Sequence, residues 1–245
     1  MDPLQQFIVG ALVPGLFSLV VCAAIWWRAG VSEGVLSDNS PTHHLGSSSR
    51  WPRLVMLLLA ALIGVFVHSY LLSAAYIPGG TAINMLPLAA CIALLIGAVS
   101  IVLRLAKFAV AGLTSIAVAV CTMLALSNAL TGVSAGMQAC LAIGIGTLTY
   151  LTVWSWESLA RLSPRGSVAP SRAVTVAGWL WFAMATQVIV VGFDALKWGL
   201  HAHGLAALYG GAMLVAFLRP RLSMAGVAGP LAGIAAMVLI VPTQV

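Results

Sequence analysis

Eight long apolar runs fill most of this chain, and mostly short polar stretches separate them. Each run is close to the roughly 20 residues that a helix needs to cross a hydrocarbon core of about 30 Å. Hydrophobic residues make up 62% of the sequence and charged residues 7%, whereas a soluble domain carries roughly a quarter of its residues as charged side chains. We therefore predict an all-α, polytopic membrane helix bundle in which residues 1–245 form one integral membrane domain. Its eight transmembrane helices are expected at about 7–27, 54–75, 83–103, 108–130, 137–156, 173–193, 200–218 and 222–241.

The basic residues predict how these helices are oriented. Ten of the eleven Lys and Arg residues fall in the first, third, fifth and seventh connections, and Lys197 is the exception. Because basic residues accumulate in cytoplasmic loops, that side is predicted to be cytoplasmic, and both the N-terminus and the C-terminus are then non-cytoplasmic. The membrane we expect is the bacterial cytoplasmic (inner) membrane. The ten residues are Arg28, Arg50, Arg53, Arg104, Lys107, Arg161, Arg165, Arg172, Arg219 and Arg221.

One connection is long, and it shows no metal-binding pattern. Residues 29–51 are rich in Ser, Gly and Asn, so we predict a mobile cytoplasmic loop there. His43 and His44 within it have no third ligand nearby, and the four cysteines show no C-x-x-C spacing, so neither a metal site nor a cofactor is expected. The net charge of +6 resides at helix ends and indicates orientation. The predicted partners are therefore the lipid bilayer and either other membrane subunits or further copies of this chain in a homo-oligomer, with no nucleic acid.

A weak internal similarity suggests a duplication. Shifting the chain by about 114 residues aligns Lys107 with Arg221 and Met123 with Met237, and it superimposes the second to fourth runs on the sixth to eighth. Many membrane transporters are built from such repeats. The pattern therefore predicts two parallel halves of four helices, although chance matches are common in a chain rich in Ala, Leu and Gly.

Two stripes of small residues predict close helix contacts. Membrane helices approach one another where small side chains recur every four residues. Such a stripe predicts a tight contact either within this chain or with another subunit. The residues concerned are Gly136, Cys140 and Gly144 in the fifth run, and Ala225, Gly229 and Gly233 in the eighth.

Polar residues near the predicted outer boundary form the candidate binding site. Ionisable groups at membrane depth are costly and are therefore functional candidates. His68 lies deepest in the membrane. Its role is either functional, as a ligand or proton relay, or structural, as a neutral histidine bonded to a neighbouring helix. Asp194 and Lys197 have the i, i+3 spacing of a simple ion pair. We hypothesise that these residues line one cavity open to the outside, formed by His68, Gln187, Asp194, Lys197, His201 and His203.

Short motifs and histidine positions allow three hypotheses of an enzyme or a haem protein to be weighed. Gly132-Val133-Ser134-Ala135-Gly136 resembles the serine motif of rhomboid proteases, with His201 or His203 as the base and Asn84 as the oxyanion donor. An extra Ala135 before the second glycine departs from that pattern. Trp154-Ser155-Trp156-Glu157 resembles part of the Trp-rich motif of cytochrome c assembly proteins, but its predicted side of the membrane is opposite. A haem-b carrier would need paired histidines at matching depth, and only His68 is deep enough.

These observations favour a non-catalytic role. The runs carry few polar groups and no complete catalytic set, so the leading expectation is a non-catalytic subunit or accessory protein of a membrane assembly. The alternative is a small-molecule or lipid transporter that uses the outward-facing polar site. A rhomboid-like intramembrane serine protease is the remote alternative.

Overall fold

A computed structural model describes residues 8–34, 50–66, 68, 82–161, 170–192, 196–218 and 224–241, and these residues contain helices and turns but no strand. Short π-helical segments, Ile8–Leu12 and Val188–Gly192, precede the first helix and follow the sixth. The helices are α1 (Val13–Gly34), α2 (Arg50–Phe66), α3 (Ala82–Leu103), α4 (Lys107–Ala125), α5 (Ala135–Ala160), α6 (Pro170–Gln187), α7 (Leu196–Leu218) and α8 (Ala228–Ile240).

Helix length and hydropathy identify an integral, multi-pass membrane protein. Among the described residues, five spans are long and apolar enough to cross a membrane. The count of eight crossings, the non-cytoplasmic termini and the repeat of four plus four helices stay predictions, and the terminal residues lie outside the described ranges. The five spans are Met85–Leu103, Lys107–Ala125, Ala135–Ala160, Arg172–Gly192 and Trp198–Leu218.

Several helix boundaries differ from the sequence-based ones. The helix predicted at 108–130 ends at Ala125 and is followed by turns, where the Thr131 hydroxyl donates to the Asn128 carbonyl at 3.2 Å. In the predicted loop 29–51, α1 continues to Gly34 and α2 begins at Arg50, while residues 35–49 lie outside the described part of the chain. The helix predicted to begin at 222 begins at Ala228.

The short helix α8 occupies the centre of the bundle. Every residue from Ala228 to Val238 is buried, and α8 packs against α3, α4 and α5. Its 13 residues extend only about 20 Å at 1.5 Å per residue, which is less than the hydrocarbon thickness. Because other helices surround α8, its small residues contact neighbouring helices rather than lipid.

A second group of helices forms around α7. Both α1 and α6 pack extensively against it. A Cβ atom at Gly15 would lie 3.8 Å from Ala207, and one at Gly211 would lie 2.7 Å from the backbone nitrogen of Leu19, so α1 and α7 run parallel. The segment that comprises α6 and the π-helical residues after it runs antiparallel to α7, because Trp179 faces Gly210 whereas the later residue Val190 faces the earlier residue Gly199. This antiparallel register brings the last residues of α6 level with the first turns of α7.

Candidate functional sites

Two of the predicted site residues form a buried pair. His68 lies two residues beyond α2, and His201 lies in the second turn of α7. The Nδ1 atom of His68 is 3.4 Å from the Nε2 atom of His201, and the ring centroids are 5.4 Å apart. Both side chains are buried. Two neutral imidazoles can share one hydrogen bond in this arrangement, with the tautomers deciding which ring donates.

The cavity beside this pair is small and almost entirely apolar. It has a volume of about 30 Å³, enough for one or two water molecules. His201 is the one titratable residue that lines it. The searched residues contain no group of three or more His, Cys, Asp or Glu side chains that would hold a metal ion. The pair can therefore exchange a proton or bond a water molecule. It supplies two potential metal ligands, fewer than the three or four protein ligands of a typical metal site.

The other predicted polar residues do not join this pair in one cavity. Gln187 and His203 line a larger groove between α1, α6 and α7. His201 and His203 are two positions apart on one helix, so their side chains point about 200° apart. Asp194 lies outside the described residues, and Lys197 belongs to α7 but its side chain is not described. Among the described residues, His201 therefore lines one cavity while Gln187 and His203 line another, and a site that also includes Asp194 and Lys197 stays a prediction.

Sequence reasoning overlooked a buried carboxylate at the start of α8. Glu157, near the end of α5, is completely buried. Its carboxylate accepts hydrogen bonds from the backbone N–H of Gly226 at 3.0 and 3.2 Å and from that of Gly229 at 3.1 Å. The Nε atom of Arg161 donates to it at 3.0 Å. A carboxylate at a helix N-terminus satisfies unpaired backbone donors and interacts favourably with the helix dipole.

A positive φ at Gly226 makes this contact possible. Its φ is 81°, a left-handed conformation that glycine adopts without strain. A Cβ atom there would lie 2.7 Å from Cγ1 of Ile101. Glycine is therefore required twice, once for the backbone turn into α8 and once for the close packing of that turn against α3.

Basic side chains contact the helix ends around this carboxylate. Arg53 donates to the Ala225 carbonyl at 3.2 Å, and Arg161 donates to the Leu105 carbonyl at 2.9 Å. Burial lowers the pKa of the Arg53 guanidinium from its usual value, nearby Arg161 lowers it further, and Glu157 opposes both effects. Lys107 donates to the Ser158 hydroxyl at 3.1 Å. These bonds gather basic residues from three predicted cytoplasmic connections at one end of the bundle.

The two small-residue stripes differ in their surroundings: the one in α8 is packed inside the chain, and the one in α5 is exposed. A Cβ atom at Gly229 would lie 2.6 Å from Cγ of Glu157, and one at Gly233 would collide with Thr114, so α8 uses its glycines for packing inside the chain. Ala225 precedes α8, in the turn that leads into it. By contrast, Cβ atoms at Gly136 and Gly144 would meet nothing within 4 Å. Cys140 between them is exposed, so the α5 stripe faces outward.

The protease and haem motifs are used in ordinary packing. The Ser134 hydroxyl caps α5 by accepting from the Met137 N–H at 3.4 Å. His201 bonds to His68, as described above, and the side chain of Asn84 is not described. In the Trp-rich motif, Trp154 lies beneath the Lys107 ammonium at 4.9 Å, and Trp156 packs edge-on against Tyr209. None of these described contacts forms a serine–histidine dyad.

The fold and these sites define a class: a multi-pass α-helical membrane protein with a buried histidine pair, a carboxylate-capped central helix and an outward-facing small-residue stripe. Comparison with protein-family models, with curated proteins and with solved structures finds no match for this chain. A function must therefore be argued from the contacts of the chain itself.

Proposed function

We propose that this protein is a non-catalytic subunit of an assembly in the bacterial inner membrane, and that two copies associate through α5. The observation that carries the proposal is the outward-facing stripe of Gly136, Cys140 and Gly144. Cβ atoms added at the two glycines would meet nothing within 4 Å, and Cys140 is exposed. The same pattern in α8 is fully packed within the chain. The contrast indicates that the α5 stripe meets its partner outside the chain.

The composition of α5 supports a second copy as that partner. Only 17% of its apolar span is buried, whereas 61% of the span in α7 is buried. From Ala135 to Ser155 the helix has no charged residue, so nothing prevents its close approach to an identical helix. Small residues spaced by four let two helix backbones touch along this surface. A twofold axis would supply each stripe with its own counterpart.

Native cysteines provide the test. In a close α5–α5 crossing, two Cys140 residues lie near the 4.4–6.8 Å Cα separation that a disulfide requires. Mild oxidation in membranes should therefore give a covalent dimer that reducing agent removes. Cys140→Ala should abolish the dimer band, while Cys91→Ala should keep it, since Cys91 is also exposed but lies on α3.

A steric variant separates assembly from accidental collision. Gly144→Ile should shift the protein from dimer to monomer in gentle detergent, measured by light scattering after size exclusion. Gly112→Ile on α4 is the matched control, since a Cβ atom at Gly112 also meets nothing within 4 Å. A monodisperse monomer without a Cys140 crosslink would refute the proposal, and so would a crosslink only to a different protein.

The alternative, a transporter with an outward-facing polar site, has weaker support. The cavity beside His201 has a volume of about 30 Å³, much smaller than the roughly 300–1,000 Å³ of typical small-molecule sites, so the buried histidine pair does not enclose a substrate site. Its test is a transport assay on the variants His68→Ala and Asp194→Asn. Unchanged transport in both would remove the polar-site assignment.

A further inference from the structure

A long groove runs along the surface between α1, α6 and α7. It has a volume of about 470 Å³, within the range of ligand-binding pockets. It exists because α1 and α6 both pack on α7 and leave a gap between them. On α7 it extends from His203 to Leu214, a distance of about 16 Å at 1.5 Å per residue.

Polar groups are concentrated at one end of this groove. The antiparallel register of α6 and α7 places Thr186 and Gln187 level with His203, at the predicted outer end. Thr186 is already satisfied by the Phe182 carbonyl at 2.8 Å. The side chains of Gln187 and His203 take part in none of the hydrogen bonds between described residues. The rest of the lining is nonpolar apart from the indole of Trp179.

The groove opens sideways, toward the surroundings of the bundle. Leu16 and Leu214 at its edges are 54% and 52% exposed, and Trp179 is 40% exposed. In a membrane this opening faces the hydrocarbon region, which contains no water to fill it. An unfilled gap of this size would forfeit the dispersion contacts of its whole lining. A flexible hydrocarbon chain is the component of the surroundings that fits such a space.

We propose that this groove is a phospholipid-binding site: one acyl chain lies between α1 and α6 along α7, and Gln187 and His203 bond the phosphate and ester oxygens. The amide and the imidazole can both donate hydrogen bonds, and those lipid oxygens are acceptors that need donors. The second acyl chain stays in the bilayer. The site is independent of α5 and does not rest on the proposed dimer.

The test uses a phospholipid with a photoactivatable diazirine in one acyl chain, in nanodiscs that contain the full chain and increasing fractions of the probe. Peptide mapping after illumination measures labelling along each helix. Labelling of groove peptides in α6 and α7 should saturate at a low probe fraction. The exposed face of α4, which bears Ile116 and Val120 and lies outside the proposed dimer contact, should label in proportion to the probe.

Two variants locate the chain and the headgroup. Ala183→Phe fills the groove and should reduce the saturable labelling several-fold. Met184→Phe is its matched control, since Met184 is the next residue of α6, is 66% exposed and does not line the groove. The double variant Gln187→Leu/His203→Leu should raise the half-saturating probe fraction several-fold, while Thr147→Val on α5 should leave it unchanged. Size exclusion confirms that each variant is folded.

A second probe separates the headgroup from the chain. A fatty alcohol with the same diazirine chain lacks the phosphate and should need a several-fold higher fraction to saturate the groove. Equal saturation by both probes would overturn the headgroup contacts of Gln187 and His203. Groove labelling that rises in proportion to the probe, as expected on the exposed face of α4, would overturn the site, and so would groove labelling that Ala183→Phe leaves unchanged.

Discussion

The carboxylate of Glu157 lies 3.0 Å from the backbone N–H of Gly226 and receives its hydrogen bond, which connects the end of α5 with the start of α8. These residues are far apart in the sequence, yet each supplies the hydrogen-bond partner that the other lacks when it is buried. A buried carboxylate needs donors, and a buried helix start needs acceptors. The contact fixes the position at which the central helix begins.

Removing this carboxylate should destabilise the protein strongly. Glu157→Ala leaves the buried N–H groups of Gly226 and Gly229 without their acceptor, at a cost of about 1–3 kcal/mol each. The expected result is a clearly lower thermal unfolding midpoint in detergent, measured by circular dichroism. Arg161→Gln is the comparison, because it removes the ion pair but keeps the bonds from the Gly226 and Gly229 N–H groups to Glu157. The unfolding midpoint should therefore fall less in Arg161→Gln than in Glu157→Ala. An unchanged midpoint for Glu157→Ala would contradict the capping role.

Replacing one glycine by alanine should lower stability in the α8 stripe and raise it in the α5 stripe. Gly233→Ala collides with Thr114 and should cost about 1–3 kcal/mol of stability through overpacking. Gly144→Ala meets open space, and the better helix propensity of Ala should stabilise the monomer by up to about 1 kcal/mol. Unfolding titrations of both variants, made under conditions where the protein is monomeric, measure the contrast. Equal destabilisation by the two changes would show that the α5 stripe is packed within the chain.

The two histidines of α7 should differ in importance for folding. His201→Leu breaks the buried bond to His68 and should lower stability by about 1–3 kcal/mol. His203→Leu, two residues later, removes a half-buried ring at the groove and should change stability little. Thermal unfolding of the two variants side by side checks this. A larger loss for His203→Leu would reverse the assignment of the structural histidine.

The orientation of the bundle can be tested at two exposed turns. Cysteines placed at Asn128 and Ala106, in a Cys91→Ala/Cys140→Ala background, should lie on opposite sides of the membrane. A membrane-impermeant maleimide should label Asn128→Cys in intact cells, and Ala106→Cys only after permeabilisation, because Arg104 and Lys107 flank Ala106. The reverse labelling pattern would invert the predicted topology.

Helix positions were largely predictable from the sequence, because hydropathy alone determines them in a membrane. The run predicted at 83–103 corresponds to Ala82–Leu103, and the run at 200–218 falls within Leu196–Leu218. Boundaries were less predictable where side chains compete with the backbone. The run predicted at 108–130 is helical only to Ala125 and continues in turns, where the Thr131 hydroxyl bonds the Asn128 carbonyl; a hydropathy pattern does not register such a change.

Long-range contacts were not predictable, because they depend on which helices become neighbours. The stripes of α5 and α8 look alike in sequence, and only the position of α8 inside the bundle distinguishes them. Glu157 offered one signal, since it is a rare carboxylate in an apolar run, but its partners are backbone groups that no pattern reveals. For the polar site, the spacing of His201 and His203 already implied opposite faces of one helix.

Because α8 is enclosed by α3, α4 and α5, its neighbours are all synthesised before it. Until α8 arrives, the faces of those helices that bear Gly97, Thr114 and Val153 have no partner at the centre of the bundle. A chain arrested before Met224 would therefore present an unfilled interior to the lipid and to membrane proteases. Degradation of such intermediates would then depend on α8 rather than on the helices inserted before it.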